Sequence, residues 1–139
     1  MPTRLSPYLG FLTNAREAME FYQFVFGGQL DISTFADLHA STSPEEDTMV
    51  MHSQLTSPNG LVLMASDTPT RIPYTPGNTF SVSLSGEDDA ELRGYWDALS
   101  IGADVTMPLT VAQWGDAFGM LDDRFGVRWL VNITAAPAP

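Results

Sequence analysis

The chain contains no cysteine and no lysine. The first absence excludes disulfides, thiolate-held zinc and cysteine nucleophiles. The second excludes lysine Schiff bases and the phosphate-binding P-loop lysine. Positive charge is scarce altogether: six arginines stand against 17 Asp and Glu, for a formal net charge of −11. A surface of that sign repels phosphate backbones and anionic lipid, so neither nucleic acid nor membrane is an expected partner. No apolar run approaches the roughly 18 residues a membrane span needs. The opening Met1-Pro-Thr-Arg-Leu-Ser6 holds no apolar signal core. A soluble, cytoplasmic protein is expected. Gly-x-Ser-x-Gly, a phosphate-binding glycine loop and a Ser-His-Asp pattern are missing as well.

What remains is a chain of 139 residues, 44% hydrophobic, which is enough for one domain with its own core. Its organisation is more informative than its composition. Tyr8 to Leu12 is an apolar run of strand length. Asn14 then opens a helix with apolar side chains at Ala15, Ala18, Met19, Tyr22 and Phe26. Asn14 followed by Glu17 has the form of an N-cap with an acid at the third helical position. Gly27-Gly28 ends the helix. Leu30, Ile32 and Thr34 alternate as a strand, and a polar loop follows from Ala36 to Thr48. Met49 to Thr56 and Leu61 to Ala65 form two strands around an Asn59-Gly60 turn.

Ser66 to Asn78, rich in Pro, Thr and Gly, reads as a linker, after which the pattern restarts. Phe80 to Leu84 alternates as a strand. Asp88 and Glu91 repeat the spacing of Asn14 and Glu17. Leu92, Tyr95, Trp96 and Leu99 make a second helical stripe, so helices are expected over about 15–26 and 88–100. Gly102, Val105 and Met107 follow Gly27, Leu30 and Ile32 at an offset of 75 residues. Ala112 to Leu121 and Phe125 to Ile133 read as the last two strands. The expected fold is therefore α+β: two tandem βαβββ modules, over about 5–65 and 78–133, within a single domain spanning 1–139.

This arrangement resembles the vicinal oxygen chelate superfamily of glyoxalases, bleomycin resistance proteins and dioxygenases, and within it the PhnB-like branch. The resemblance rests on four stretches. They are Ser6-Pro-Tyr-Leu9 with Asn14 to Tyr22 and Phe26-Gly-Gly28; His52-Ser-Gln-Leu55 with Leu63 to Asp67; Leu84-Ser-Gly86 with Asp89 to Arg93; and Trp114 to Gly119 with Asp123 to Asn132. It covers nearly the whole chain. It implies mixed sheets curled around a cavity that holds a small-molecule ligand, a homodimer, and in the metalloenzyme members four strand-borne ligands. Carried over, those ligand positions fall at Pro7, Gln54, Ser81 or Ser83, and Leu130. At least three of the four are poor or impossible ligands for zinc or nickel. No cofactor is expected. Loose divalent cations at surface carboxylates are the remaining metal expectation. Some members carry a methyltransferase label, yet no glycine-rich methyl-donor loop is present.

The residues leave several candidates. His52 and Gln54, two apart on one strand, share a face. His52 is the candidate acid or base, because imidazole titrates near neutral pH. With Asp67 or Asp116 the pair would make at most a partial metal site. Trp114, Asp116 and Phe118 alternate along an expected strand as a ligand-facing or dimer-interface surface, with the small residues Gly115, Ala117 and Gly119 behind them. Met64, with Met49, Met51, Met107 and Met120, suits an adaptable apolar cavity or an ordinary core. Trp129 is expected in the core. His39 and the run Glu45-Glu46-Asp47 are expected in solvent. Three functions stay open: a ligand-binding or sequestering protein, an enzyme using His52, and a ligand-free interaction module.

Overall fold

In the computed structural model, which describes residues 3–135, the chain divides into two compact units, Met1–Pro76 and Gly77–Pro139. The first unit holds β1 (Tyr8–Phe11), α1 (Ala15–Phe26), β2 (Gln29–Thr34), a single 3₁₀ turn (Pro44–Glu46), β3 (Val50–Thr56) and β4 (Val62–Asp67). Its strands lie in the order β1-β4-β3-β2. β1 runs parallel to β4, and the other pairs are antiparallel. The second unit repeats this plan with β5 (Val82–Gly86), α2 (Asp89–Leu99), β6 (Asp104–Val111), β7 (Ala117–Asp122) and β8 (Arg128–Ile133), in the order β5-β8-β7-β6. Both sheets are open four-stranded layers with one helix each, which is the expected tandem βαβββ arrangement.

The helical stripe of α1 explains why it packs. Ala15, Ala18, Met19, Tyr22, Val25 and Phe26 are all buried. They cover a sheet face made of Phe11, Leu55, Leu63 and Ala65. Each large side chain taken fully out of water there contributes about 1.5–3 kcal/mol. Buried Ser53 on that face donates its hydroxyl to the Ala65 carbonyl at 2.7 Å. The helix stops where Gly27 takes a positive φ of 71°, with its N–H still bonded to the Gln23 carbonyl at 2.7 Å.

The start of α1 departs from expectation. Asn14 sits at the cap position with φ −116° and ψ 25°, and its side chain makes no cap hydrogen bond. The Asp67 carboxylate does the work instead: it accepts from the Ala15 N–H and from the Val50 N–H, both at 2.9 Å. Parallel pairing of β1 with β4 places Asp67 beside Phe11, one short loop from the helix start. In the second unit Asp88 behaves as its spacing predicts, accepting from the Glu91 N–H at 3.0 Å.

The second core is built around Leu92, Trp96, Leu99, Leu121, Trp129 and Val131, so Trp129 is the core residue expected. Its indole N–H donates to buried Asp123 at 2.9 Å, whose other oxygen accepts from the Phe125 and Val127 N–H groups. That turn delays the last strand, which begins at Arg128 rather than Phe125. A second correction concerns Ala112 to Leu121. β6 runs on to Val111, and residues 112–116 form the turn of a β6–β7 hairpin. The turn is closed by Ala112 N–H to the Asp116 carbonyl at 2.7 Å and Gly115 N–H to the Ala112 carbonyl at 3.0 Å. The alternation that reads as strand there is the near side of a tight turn.

Candidate functional site

Alternation along the strands of the first unit leaves one sheet face free of the helix. Cross-strand partners share a face, and the register sets Tyr8 against Met64, Met64 against Gln54, Gln54 against Asp31, and His52 against Ser33. His52, Gln54 and Met64 are therefore brought together, each half-buried. A bulge in the β2–β3 ladder beside His52, where Thr34 pairs with Val50 and Ser33 with His52, locally bends the strand that carries it. Tyr8 completes the group. Its hydroxyl lies 3.3 Å from His52 Nδ1, and the two rings stack with centroids 5.8 Å apart at 29°. The Gln54 amide is turned along its own strand and donates to the Thr56 hydroxyl at 3.3 Å.

Tyr8 is the residue that sequence reasoning missed. Tyr8 to Leu12 reads as a uniformly apolar run, but Phe11 faces the core, so Tyr8, three residues earlier, faces out, and it is 51% exposed. Strict period-two reading anchored on Phe11 is the signal that finds it.

The other candidates lie in the second unit and do not form the single strand face expected. Trp114 is at the hairpin turn, 68% exposed, with its ring centroid 6.5 Å from that of Phe118. Asp116 is committed to local structure: it accepts from the Ala135 N–H at 3.0 Å and from the Asn132 side-chain amide at 3.2 Å. These two donors, the backbone one foremost, hold its carboxyl below the usual carboxylate range. Phe118 is half-buried opposite Asn132 on β8. Gly119, behind it, is where Trp96 of α2 closes onto the sheet.

Asp67 is likewise unavailable as a ligand beside His52, since it is buried and both oxygens serve backbone N–H groups. Glu46 corrects the expectation of a solvated acidic run. It is 4% exposed and accepts from Arg71 at 2.7 Å and from the backbone and hydroxyl of Thr42. Arg71 first, then the Thr42 N–H, hold its carboxyl below the usual range. Glu45 and His39 are exposed as expected.

The first unit also has a cavity of about 610 Å³, but at the N-terminal end of α1, lined by Leu12, Thr13, Arg16, Glu45, Met49 and Thr70 among others. Of the sequence candidates, Asp67 and Met49 touch it, and His52, Gln54 and Met64 do not.

The donor sets do not fit a transition metal. The carried-over positions present Gln54 on the first sheet and Ser83 and Leu130, paired with one another, on the second. Pro7 lies just before β1, its carbonyl bonded to the Met64 N–H. No group of three His, Asp or Glu side chains placed to hold a metal occurs among the described residues. Nor does a methyl-donor cradle fit between β1 and α1, where Leu12-Thr13-Asn14 contains no glycine.

Comparison with known proteins agrees with this geometry. The protein PA1353 from Pseudomonas aeruginosa has 36% sequence identity, with 97% of this chain and 100% of that one covered, at a TM-score of 0.85. A putative 3-demethylubiquinone-9 3-methyltransferase, PhnB protein, from Bacillus cereus has 26% identity over 95% of this chain and 100% of that one, at a TM-score of 0.71. A glyoxalase/bleomycin resistance protein/dioxygenase family enzyme from Burkholderia phytofirmans shares the fold at 16% identity and a TM-score of 0.59, with 91% and 95% of the two chains covered. The 3-demethylubiquinone-9 3-methyltransferase family matches over residues 3–132. The chain belongs to that family, is similar to its PhnB protein from Bacillus cereus, and shares its fold with the glyoxalase/bleomycin resistance protein/dioxygenase family enzyme.

Proposed function

We propose that this protein binds a small molecule on the open face of its first sheet, without a resident transition metal, with His52 as the principal polar contact and Tyr8, Gln54 and Met64 around it. The observation that carries this reading is the Tyr8–His52 contact. An imidazole and a phenol are held together at 3.3 Å on a sheet face that no helix covers. Strand-borne polar side chains of this kind fix ligand orientation in pockets that are otherwise apolar. Trp114 and Phe118 are the corresponding aromatic candidates of the second unit, and Asp116 acts there by shaping the hairpin.

A second reading is an enzyme in which His52 moves a proton. The same contact supports it, because imidazole is the usual acid–base group. Turnover separates the two: a binder returns its ligand intact.

We further read the protein as a cytoplasmic homodimer. No helix among the described residues is long and apolar enough to cross a membrane. β6 is a sheet edge with Val105, Met107 and Val111 exposed and Trp114 next to its end. Edges and apolar surface of that kind are commonly covered by a partner. Divalent cations would bind loosely, at surface carboxylates.

The test is a fragment-library screen by NMR with ¹⁵N-labelled protein, repeated on His52→Gln. Hits that move the His52 ring signals and lose binding at least tenfold in the variant support the reading. Hits that cluster elsewhere and ignore the substitution overturn it.

A further inference from the structure

The polarity of one hydrogen bond decides what kind of ligand the His52 face can take. If Nδ1–H donated to the Tyr8 oxygen, the Nε2 lone pair would face outward, ready for a metal or a proton. If Tyr8 donates to Nδ1, the ring proton sits on Nε2 and the imidazole faces outward as a donor. The chemistry of the two partners favours the second arrangement. A phenol is a strong donor and a weak acceptor, whereas an imidazole sp² nitrogen is a strong acceptor. Metal-binding histidines donate their second ring N–H to a carboxylate, a backbone carbonyl or water. His52 Nδ1 instead meets a hydroxyl.

The surroundings point to the same ligand class. β1 to β4 carry no arginine, and the chain has no lysine. Arg71 is taken by Glu46, and Arg16 lines the cavity at the helix end. The strand-borne charge on the His52 side is Asp31, opposite Gln54 in the ladder and bonded to the Gln29 amide at 3.0 Å. An anionic ligand would find no countercharge on these strands.

Building on the proposed site, we infer that Tyr8 is a positioning residue that fixes His52 as an Nε2–H donor, so that the site takes an uncharged molecule presenting an oxygen acceptor. Tyr8 acts through the imidazole. Phenylalanine in its place keeps the ring stack and removes only the hydroxyl.

The test needs no ligand. Long-range ¹H–¹⁵N spectra of the two histidines, at alkaline pH where imidazole is neutral, report tautomer and hydrogen bonding directly. His52→Gln assigns the signals, and exposed His39 serves as the unconstrained reference. The expected result is a wholly Nε2–H tautomer for His52, with Nδ1 shifted as a hydrogen-bond acceptor. In Tyr8→Phe that shift disappears, and the tautomer mixture returns to that of His39. An Nδ1–H tautomer in the wild type overturns the inference, as does a spectrum unchanged by Tyr8→Phe. Fragment hits at His52 dominated by carboxylates or phosphates overturn the assigned ligand class. A screen with no hit at His52 defeats the binding site itself and leaves the tautomer result standing, so the two failures are distinguishable.

Discussion

The two units share strand order, pairing and helix placement, yet they are secured differently and present different faces. In the first, a buried carboxylate at the end of β4 ties the start of α1 to the start of β3. In the second, the helix is capped locally by Asp88, and the buried carboxylate, Asp123, sits at the other end of the corresponding strand, holding the turn before β8. The open face of the first sheet carries Tyr8, Ser33, His52 and Gln54. The matching face of the second carries Met107, Phe118, Met120 and Leu130 beside the hydroxyls of Ser83 and Ser85, and its charged residues bond within the unit, Asp122 to Arg128 and Asp116 to Asn132. Topology is thus duplicated while chemistry is not: the first face sets an imidazole beside a phenol and an amide, whereas the second sets hydroxyls among larger apolar side chains.

The sharpest way to break this comparison is to remove the buried carboxylates. Asp123→Ala strands three N–H donors and Asp67→Ala two, all otherwise bonded to a charged acceptor. Hydrogen bonds to charged groups contribute more than neutral ones, and a stranded buried donor adds its desolvation cost, so each substitution should cost about 3–5 kcal/mol. Urea unfolding followed by circular dichroism measures both. A loss below about 1 kcal/mol in either case would show that water or backbone rearrangement replaces the carboxylate.

A smaller effect separates two strand glycines. A Cβ at Gly119 would lie 2.8 Å from the Trp96 ring and 2.9 Å from the Leu109 backbone, whereas one at Gly10 meets nothing within 4 Å. Overpacking makes Gly119→Ala about 1–3 kcal/mol destabilising. Gly10→Ala should stay within about 0.5 kcal/mol of the wild type. Equal thermal midpoints for the two variants would mean that α2 can back away from its sheet, and that small residues behind Phe118 are not what lets the helix approach.

The success of the sequence reading follows from what kind of physics each feature uses. Both helices, the Gly27 and Gly102 stops and the order of the strands are written in local periodicity and turn chemistry, and they are where the spacing puts them. Asp67 and Glu46 were illegible because their partners lie far along the chain: Asp67 acts 52 residues away on Ala15, and Glu46 is 25 residues from Arg71. A buried carboxylate reads as a solvated one until its donors are known. Of the candidate site, His52, Gln54 and Met64 were legible because strand alternation and register follow from the same period. Trp114 was misplaced because Trp-Gly-Asp alternates like a strand while turning the chain. Tyr8 was hidden by an apolar run whose alternation only the burial of Phe11 reveals.

The smallest predicted effect tests that lesson most directly, since it compares two positions that look alike in sequence. Asn14 with Glu17 and Asp88 with Glu91 have the same spacing, and capping rules alone assign both the same stabilisation. The structure does not. Asp88 is in an extended conformation and its carboxylate accepts from Glu91 N–H, so Asp88→Ala should cost about 1 kcal/mol. Asn14 makes no cap bond, and the first helical N–H, that of Ala15, is held by Asp67 instead, so Asn14→Ala should change stability by less than about 0.5 kcal/mol. Asp67→Ala supplies the control. In that background the helix start loses its distant acceptor, and Asn14, the side chain at the cap position, is left to serve the first turn. Asn14→Ala should then cost more than it does alone, a coupling that a double-mutant cycle reads as a non-zero interaction energy. Additive effects, or a single-mutant cost at Asn14 equal to that at Asp88, would show that both helices rely on local caps and that the difference drawn between the two units at this point is mistaken.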